Sequence, residues 1–389
     1  MVNQSKREYL AAILGRYRRA GRKFKQKILD EFCSICGYHR KHAIRLLRRS
    51  GVPRREGRGA KVQYGPEVVE VLKDLWLASD RLCSKLLKAA VPVWLPFYRQ
   101  KHELHKDICD RLLRVSPATL DRLLKPVRRQ YGSRGRCGTR PGTLFRHQIP
   151  IKTDMTDITK PGFVEADTVA HCGNSLAGDF VWSLTLTDIF SGWTENRAVW
   201  NKGYTGVKQA IQEIETDLPF AILGFQTDNG GEFLNHHLYR YFSERALPVV
   251  FTRGRPYHKN DTAHVEQKNW THVRQWLGYR RIEKEPLIPT INELYQVWDW
   301  YRNLYCPTLK ILSKSKVGSR YIKKYSAPQT PYQRLMESAV VLEPLKCQLT
   351  ELFCNLNPFA LKKQIDYKQR LILNHLGSTI YESTNAPKA

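Results

Sequence analysis

Three acidic residues stand where a carboxylate is hard to account for as surface decoration: Asp167 in FVEADTV, Asp228 in GFQTDNGGEF and Glu266 in KNDTAHVEQKNW. Asp167 interrupts a strand-like run, Asp228 ends another, and Glu266 falls in a helix-like segment rich in cationic and amide side chains. Carboxylates are the hard oxygen ligands that Mg²⁺ or Mn²⁺ takes, and such ions keep enough waters that a few protein oxygens suffice. Two divalent ions roughly 4 Å apart would suit phosphodiester chemistry, in which an oxygen nucleophile is activated and a leaving oxygen stabilised. Each residue alone has a plainer reading. An Asp at a strand end is commonly a turn cap, and a Glu among Lys and Arg is commonly half of a surface ion pair worth at most about 1 kcal/mol. Asp188, closing a strand, Glu232, expected in the first turn of a helix, and Asp261, expected as a cap, are the nearest acidic neighbours that spacing sets aside.

The elements around the trio give it meaning. FVEADTVA, DFVWSLTLTD and TENRAVW are strand-like runs separated by turn residues, and an amphipathic helix follows from about Thr205 to Asp217. AILGFQTD predicts a fourth strand, residues Glu232 to Arg245 a helix, PVVF a short strand, and NDTAHVEQKNWTHVRQWLGY a helix capped by Asn260 or Asp261. Three antiparallel strands, then helix, strand, helix, strand and helix, is the order of a ribonuclease H-like α/β fold. On that order, the set Asp167, Asp228 and Glu266 resembles the catalytic core of DDE insertion-sequence transposases and retroviral integrases, with intervals of 61 and 38 residues. DTVAHCG, TDNGGEF, FTRGRPYHKND, HVEQKNW and TPYQRL also resemble strings of a bacterial transposase group, over roughly residues 160 to 335. Gly231 before Glu232 departs from the small polar residue of many relatives and leaves the triad untouched. The resemblance implies two Mg²⁺ or Mn²⁺ ions per site, with Asp167 bridging, Asp228 on one ion and Glu266 on the other. It also implies cleavage at an element end, then attack of the freed 3′ hydroxyl on target DNA with no covalent enzyme intermediate, and synapsis by a homodimer or higher homo-oligomer.

Charge supplies the expected partner. The 389 residues carry +28, and residues 1 to 150 hold 35 Lys+Arg against 12 Asp+Glu, leaving 29 against 24 for the rest. A basic front half of this kind is the footprint of a nucleic-acid binder, and the resemblance implies that the partner is double-stranded DNA, the element's terminal inverted repeats and target DNA. Residues 1 to 50 predict a helix-turn-helix: helices over Glu8 to Tyr17 and Gln26 to Cys36, a turn at Gly37, then YHRKHAIRLLRR with Arg40, Lys41, Arg45, Arg48 and Arg49 as DNA contacts. A helical bundle with solvated basic faces is the alternative. Cys33, Cys36, His39 and His42 run at intervals of three. Finger-type zinc sites separate their ligand pairs by a loop, so buried thiols and groove-facing histidines are the expectation here. Residues 51 to 65 read as a basic linker with Arg54 and Arg55 along DNA. Residues 66 to 131 read as a second helix-turn-helix-like DNA-binding block, with Ser116 as N-cap, Pro117 at the first helical position, Arg122 on the reading helix and Pro126 ending or kinking it. Residues 132 to 158 form a second linker, 159 to 305 the core, and 306 to 389 a C-terminal basic β/helical region.

Around the triad, Arg253, Arg255, His258 and Lys259 form a basic loop. Lys268, Asn269, His272 and Arg274 lie on or beside the Glu266 helix, where the resemblance implies DNA near the scissile phosphate. His171 and Cys172 are expected to be structural, and Trp182, Trp193 and Trp270 to pack. Residues Lys310 to Tyr325 predict a small basic β element, TPYQRLMES a helix, and NPFALKKQIDYKQRLILNHL an amphipathic helix suited to assembly. No run approaches the ~20 apolar residues of a membrane span. The nine scattered cysteines suit reduced thiols, so a bacterial cytoplasmic, nucleoid-associated protein without membrane or disulfides is expected. The expectation is therefore a DDE transposase. An integrase-type recombinase, a transposase-derived repressor without catalysis, and a metal-dependent nuclease without strand transfer are the other readings.

Overall fold

A computed structural model describes residues 3–48, 63–131, 158–228, 230–254, 263–317 and 320–377. The chain divides into two compact units, Met1–Gln63 and Tyr64–Ala389.

The first unit is three helices, α1 (Asn3–Arg19), α2 (Arg22–Cys36) and α3 (Arg40–Arg48). Leu10, Ile13 and Leu14 meet Ile28, Leu29, Phe32, Ala43 and Leu47 in a small core. Gly37 ends α2 in the left-handed region at φ 65°, a conformation that costs a side chain free energy, and a short turn leads into α3. Cys36 is buried in this core, while His39 and His42 are exposed and His42 packs on Tyr38 with ring centroids 4.9 Å apart.

In the second unit, α4 (Pro66–Ala78), α5 (Ser84–Arg99), α6 (Lys106–Arg114) and α7 (Pro117–Gln130) precede the sheet. Ser116 caps α7 by accepting from the Thr119 amide at 3.2 Å, as its place before Pro117 predicts. Two expectations need correction. Pro126 does not end α7, which runs on to Gln130, because Pro126 lies on the exposed face where a freed carbonyl meets water. α5 has no counterpart in the sequence reading, since Pro92 and Pro96 punctuate it. It forms around a heavily apolar face of Leu87, Val91, Trp94, Leu95 and Phe97.

β1 (Phe163–Ala170), β2 (Val181–Asp188), β3 (Thr194–Trp200), β4 (Gly224–Thr227) and β5 (Val250–Arg253) form one sheet in the order β3-β2-β1-β4-β5. The first three are antiparallel, and β4 and β5 run parallel to β1. α8 (Tyr204–Asp217) and α9 (His236–Ser243) cover one face, where Val164, Ala166, Ile211, Phe225, Phe233 and Phe242 interlock. The other face meets α10 (Ala263–Lys268), a π-helical segment Asn269–Arg274, α11 (Gln275–Leu277) and the long α12 (Ile288–Tyr305). This is the order of elements expected from the sequence, except that α9 starts four residues later than Glu232 and the last helix widens into a π turn.

The helices before the sheet share one core with those after it. Trp94 donates its Nε1 proton to Tyr305 O at 2.8 Å, and Tyr301 donates its hydroxyl to Ala78 O at 2.6 Å. Beyond α12, β6 (Ile311–Val317) and β7 (Arg320–Tyr325) make a separate antiparallel pair, followed by α13 (Pro331–Glu337), α14 (Glu343–Asn355) and α15 (Pro358–His375). The α15 segment turns Leu361, Ile365 and Ile372 into the chain's own core beside α12. None of the described helices is long and apolar enough to cross a membrane.

Candidate active site

Alternation along β1 sets the site. Val164 and Ala166 point to the α8 and α9 face, so Glu165, Asp167 and Val169 point to the α10 face. Glu165 is buried, and its carboxylate accepts from the Val265 amide at 3.0 Å, pinning α10 to β1. Asp167, two residues on, is half-buried. Its Oδ1 accepts from the Thr168 amide at 2.8 Å, and its Oδ2 from Asn269 Nδ2 at 2.5 Å. The π segment begins at Asn269, which makes it the element that reaches the first aspartate.

β4 brings the second. Ala166 pairs with Thr227 in the parallel register, so Asp167, in the middle of β1, stands beside Asp228, the residue that follows the end of β4. Neighbouring strands lie ~4.8 Å apart. Asp228 Oδ1 accepts from the Gly230 amide at 2.9 Å, closing a tight turn. Burial raises the Asp228 carboxyl above the ordinary carboxylate range, the Gly230 amide draws it back, and the neighbouring Glu232 carboxylate raises it again.

Glu232 was expected in the first turn of a helix and is instead buried in the turn before α9. It accepts from Thr168 Oγ1 at 2.6 Å and lies 3.6 Å from Lys202 Nζ. Glu165 and Glu232 were missed as parts of the site. The i, i+2 spacing of Glu165 and Asp167 was a usable signal, whereas nothing local in GGEF showed that Glu232 folds back toward β1.

Glu266 lies on α10, three residues before Asn269 and so on nearly the same helical face; its side chain is outside the described part. The remaining expected residues diverge. Lys268 is half-buried and donates to Gly192 O at 3.1 Å. Burial, with Arg302 and Arg334 nearby, pushes its ammonium down to about 7, so its charge is turned into the fold. Arg274 donates to Ala170 O at 2.9 Å and lies over Tyr279, and Arg253 is buried at the end of β5. His272 is buried against Asn196 at 3.1 Å, and burial holds it well below the usual histidine range. Lys41, Arg45, Arg48 and Arg122 are exposed, while Arg40 pairs with Asp30. Arg49, Arg54, Arg55, Arg255, His258, Lys259, Asn260 and Asp261, with most of both linkers, lie outside the described residues.

Of the acidic neighbours set aside, Asp188 behaves as structure. Asp188 accepts from the Gly162 amide at 2.9 Å and from the Ser191 amide and hydroxyl at 2.7 and 2.6 Å. His171 is buried on Ser183 at 2.8 Å, and Trp193 donates to Glu195 at 2.8 Å.

A divalent ion fits the donor chemistry. Asp167 and Asp228 offer hard carboxylate oxygens side by side, and the buried Glu232 Oε2 accepts no hydrogen bond. Among the described residues no three His, Cys, Asp or Glu side chains converge into a closed set, so Asp167 and Asp228 are the residues that would hold it.

Sheet and carboxylates together define the class: a mixed α/β core with two aspartates side by side on adjacent parallel strands, one within β1 and one just past β4. No family model matches the chain. It is 42% identical over 333 residues, 84% of this chain and 94% of that protein, to the uncharacterized protein y4rM of Sinorhizobium fredii (strain NBRC 101917 / NGR234), and belongs to the same family. Among solved structures it is similar to the BIV integrase catalytic core domain (16% identity, 44% of this chain and 91% of that one, TM-score 0.29). It is also similar to the HTLV-2 integrase catalytic core domain in complex with magnesium (14% identity, 38% and 90%, TM-score 0.29).

Proposed function

We propose that the chain is a metal-dependent DNA transposase of the DDE type, which cuts at element ends and joins the freed 3′ hydroxyl to target DNA. The observation that carries this reading is the register that sets Asp167 beside Asp228, with α10, the helix bearing Glu266, anchored on the same strand by Glu165 and Asn269. Catalytic groups of open α/β sheets gather near the carboxyl ends of parallel strands, and Asp228 follows the end of β4 with Asp167 beside it on β1. Asp167 and Asp228, with Glu266, would hold Mg²⁺ or Mn²⁺. When bound, the metal supplies charge to the attacking and leaving oxygens of a phosphodiester. The chain's own groups orient the donors: Asn269 and the Thr168 amide fix Asp167, and the Gly230 amide fixes Asp228. The exposed cations of α3 and Arg122 support a role for the basic front half in gripping double-stranded DNA. Synapsis of two ends by a dimer or higher oligomer belongs to the same proposal.

The test uses labelled duplexes carrying the inverted repeats that flank the coding region, with Mg²⁺ or Mn²⁺. Wild type is expected to give joined products, and Asp167→Asn, Asp228→Ala and Glu266→Gln to lose them by about 100-fold or more, roughly 3 kcal/mol of transition-state stabilisation each. Hydrolysis without joining would make the chain a nuclease. Binding with no chemistry under any metal would make it a repressor.

A further inference from the structure

The turn between β4 and α9 holds a carboxylate for which the Asp167, Asp228 and Glu266 set has no use. Glu232 is only 7% exposed, yet its Oε2 accepts no hydrogen bond. Its Oε1 accepts from Thr168 Oγ1 at 2.6 Å, so the carboxylate plane is fixed from β1, one residue past Asp167. Oε2 is left facing Gly230. The point where a Cβ would stand on Gly230 is 2.8 Å from Glu232 Oε2 and 2.9 Å from Asp228 Oδ1, a space that only glycine leaves open. Two partly desolvated carboxylates facing one small space repel each other unless a cation stands with them. The cation beside them is Lys202, with Nζ 3.6 Å from Oε2 and a side chain half exposed over Trp182 at 4.8 Å. An ammonium on a flexible, half-exposed stem is a counter-ion that can leave.

We propose that Glu232 is a fourth metal-binding carboxylate, which joins Asp228 around one divalent ion, and that the Lys202 ammonium holds that place until the ion arrives. This rests on the reading of Asp228 as a metal ligand. The cation replaces the ammonium beside Oε2, which accepts no hydrogen bond, and Thr168 keeps Oε1 in place throughout. Glu232 as a simple brace between β1 and the turn is the competing role. It would survive substitution by Gln, whose carbonyl still accepts from Thr168.

Mn²⁺ binding to the full-length protein without DNA, followed by the paramagnetic resonance of free Mn²⁺, separates these. Glu232→Gln is expected to weaken binding by about ten-fold or more. Lys202→Gln, made at a half-exposed position, is expected to tighten it several-fold by removing a competing charge. Melting in EDTA checks that each variant is folded, and the Lys202 variant keeps the test informative if Glu232→Gln is not. If Asp228→Asn loses Mn²⁺ while Glu232→Gln and Lys202→Gln bind it as the wild type does, Glu232 is only a brace and the inference is overturned. If Asp228→Asn binds Mn²⁺ like the wild type, or the wild type binds none, the metal reading of Asp228 fails and the role of Glu232 fails with it.

Discussion

Asn269 and Lys268 are consecutive, and both were candidate DNA contacts from their place on a cationic helix. Yet Asn269 donates to Asp167 and Lys268 to Gly192 O on the protein's inner side. The two directions follow from the helix turning about 100° per residue, which a list of charged residues does not encode. Under the proposed function Asn269 is a positioning residue: its amide holds Asp167 Oδ2 at 2.5 Å, so the carboxylate would present one rotamer to a metal. Removing that amide leaves the ligand chemistry intact and its orientation loose. Asn269→Ala is expected to lower cleavage and joining by roughly ten-fold at each Mg²⁺ concentration, with little change in melting temperature. Initial rates across a Mg²⁺ titration check this, and a variant with wild-type rates would show that Asp167 is oriented by other contacts.

Among the elements, the seam between the sheet and α12 is polar where most cores are not. His171 meets Ser183, Ser183 meets Tyr295 at 2.6 Å, and Asp299 accepts from the Asn196 amide at 2.8 Å. Burial, helped by the Arg274 guanidinium, pushes His171 down to about 3, so it stays neutral in the fold and charges readily only when unfolded. The unfolded chain therefore binds the extra proton between about pH 6.5 and pH 3. The contribution of His171 is full above pH 6.5 and is lost as pH falls through that window. His171→Gln removes this term, so between pH 7 and pH 5 it should lose less stability in urea unfolding than the wild type does. The difference approaches roughly 1.4 kcal/mol per pH unit below pH 6.5. Parallel losses in both proteins would place the acid sensitivity elsewhere in the seam. The same elements mark what the sequence disclosed. Strands β1 to β5 were legible because alternating and apolar runs end at Asp and Gly turns, and their order placed Asp167 and Asp228 together. α5 was hidden because its prolines stop a local reading while its burial beside α12 comes from residues over 200 positions away. The π widening at Asn269 and the fold-back of Glu232 were hidden for the same reason, since both are set by contacts with β1.

Taken whole, the molecule separates its densest positive charge from the candidate site along its sequence. Residues 1–63 form their own compact unit, with 18 Lys+Arg against four Asp+Glu, and Asp167 and Asp228 belong to the other unit. Lys41, Arg45 and Arg48 are exposed on α3, whose packing rests on Ala43 and Leu47 instead. Gln costs a helix little more than Lys or Arg, so replacing all three removes charge without disturbing that core. Each cation that neutralises a phosphate in B-DNA contributes about 0.9 to the slope of log affinity against log salt. If α3 lies on DNA, the Lys41→Gln, Arg45→Gln, Arg48→Gln variant of the full chain should bind duplex DNA more weakly at low salt, with a slope shallower by up to about 2.7. Its Mn²⁺ affinity should be unchanged, because the three belong to a different unit of the chain from Asp167 and Asp228. Binding isotherms at four or five salt concentrations measure the slope directly. A slope equal to that of the wild type would move the phosphate contacts off α3, to Arg122 and the other basic segments of the front half.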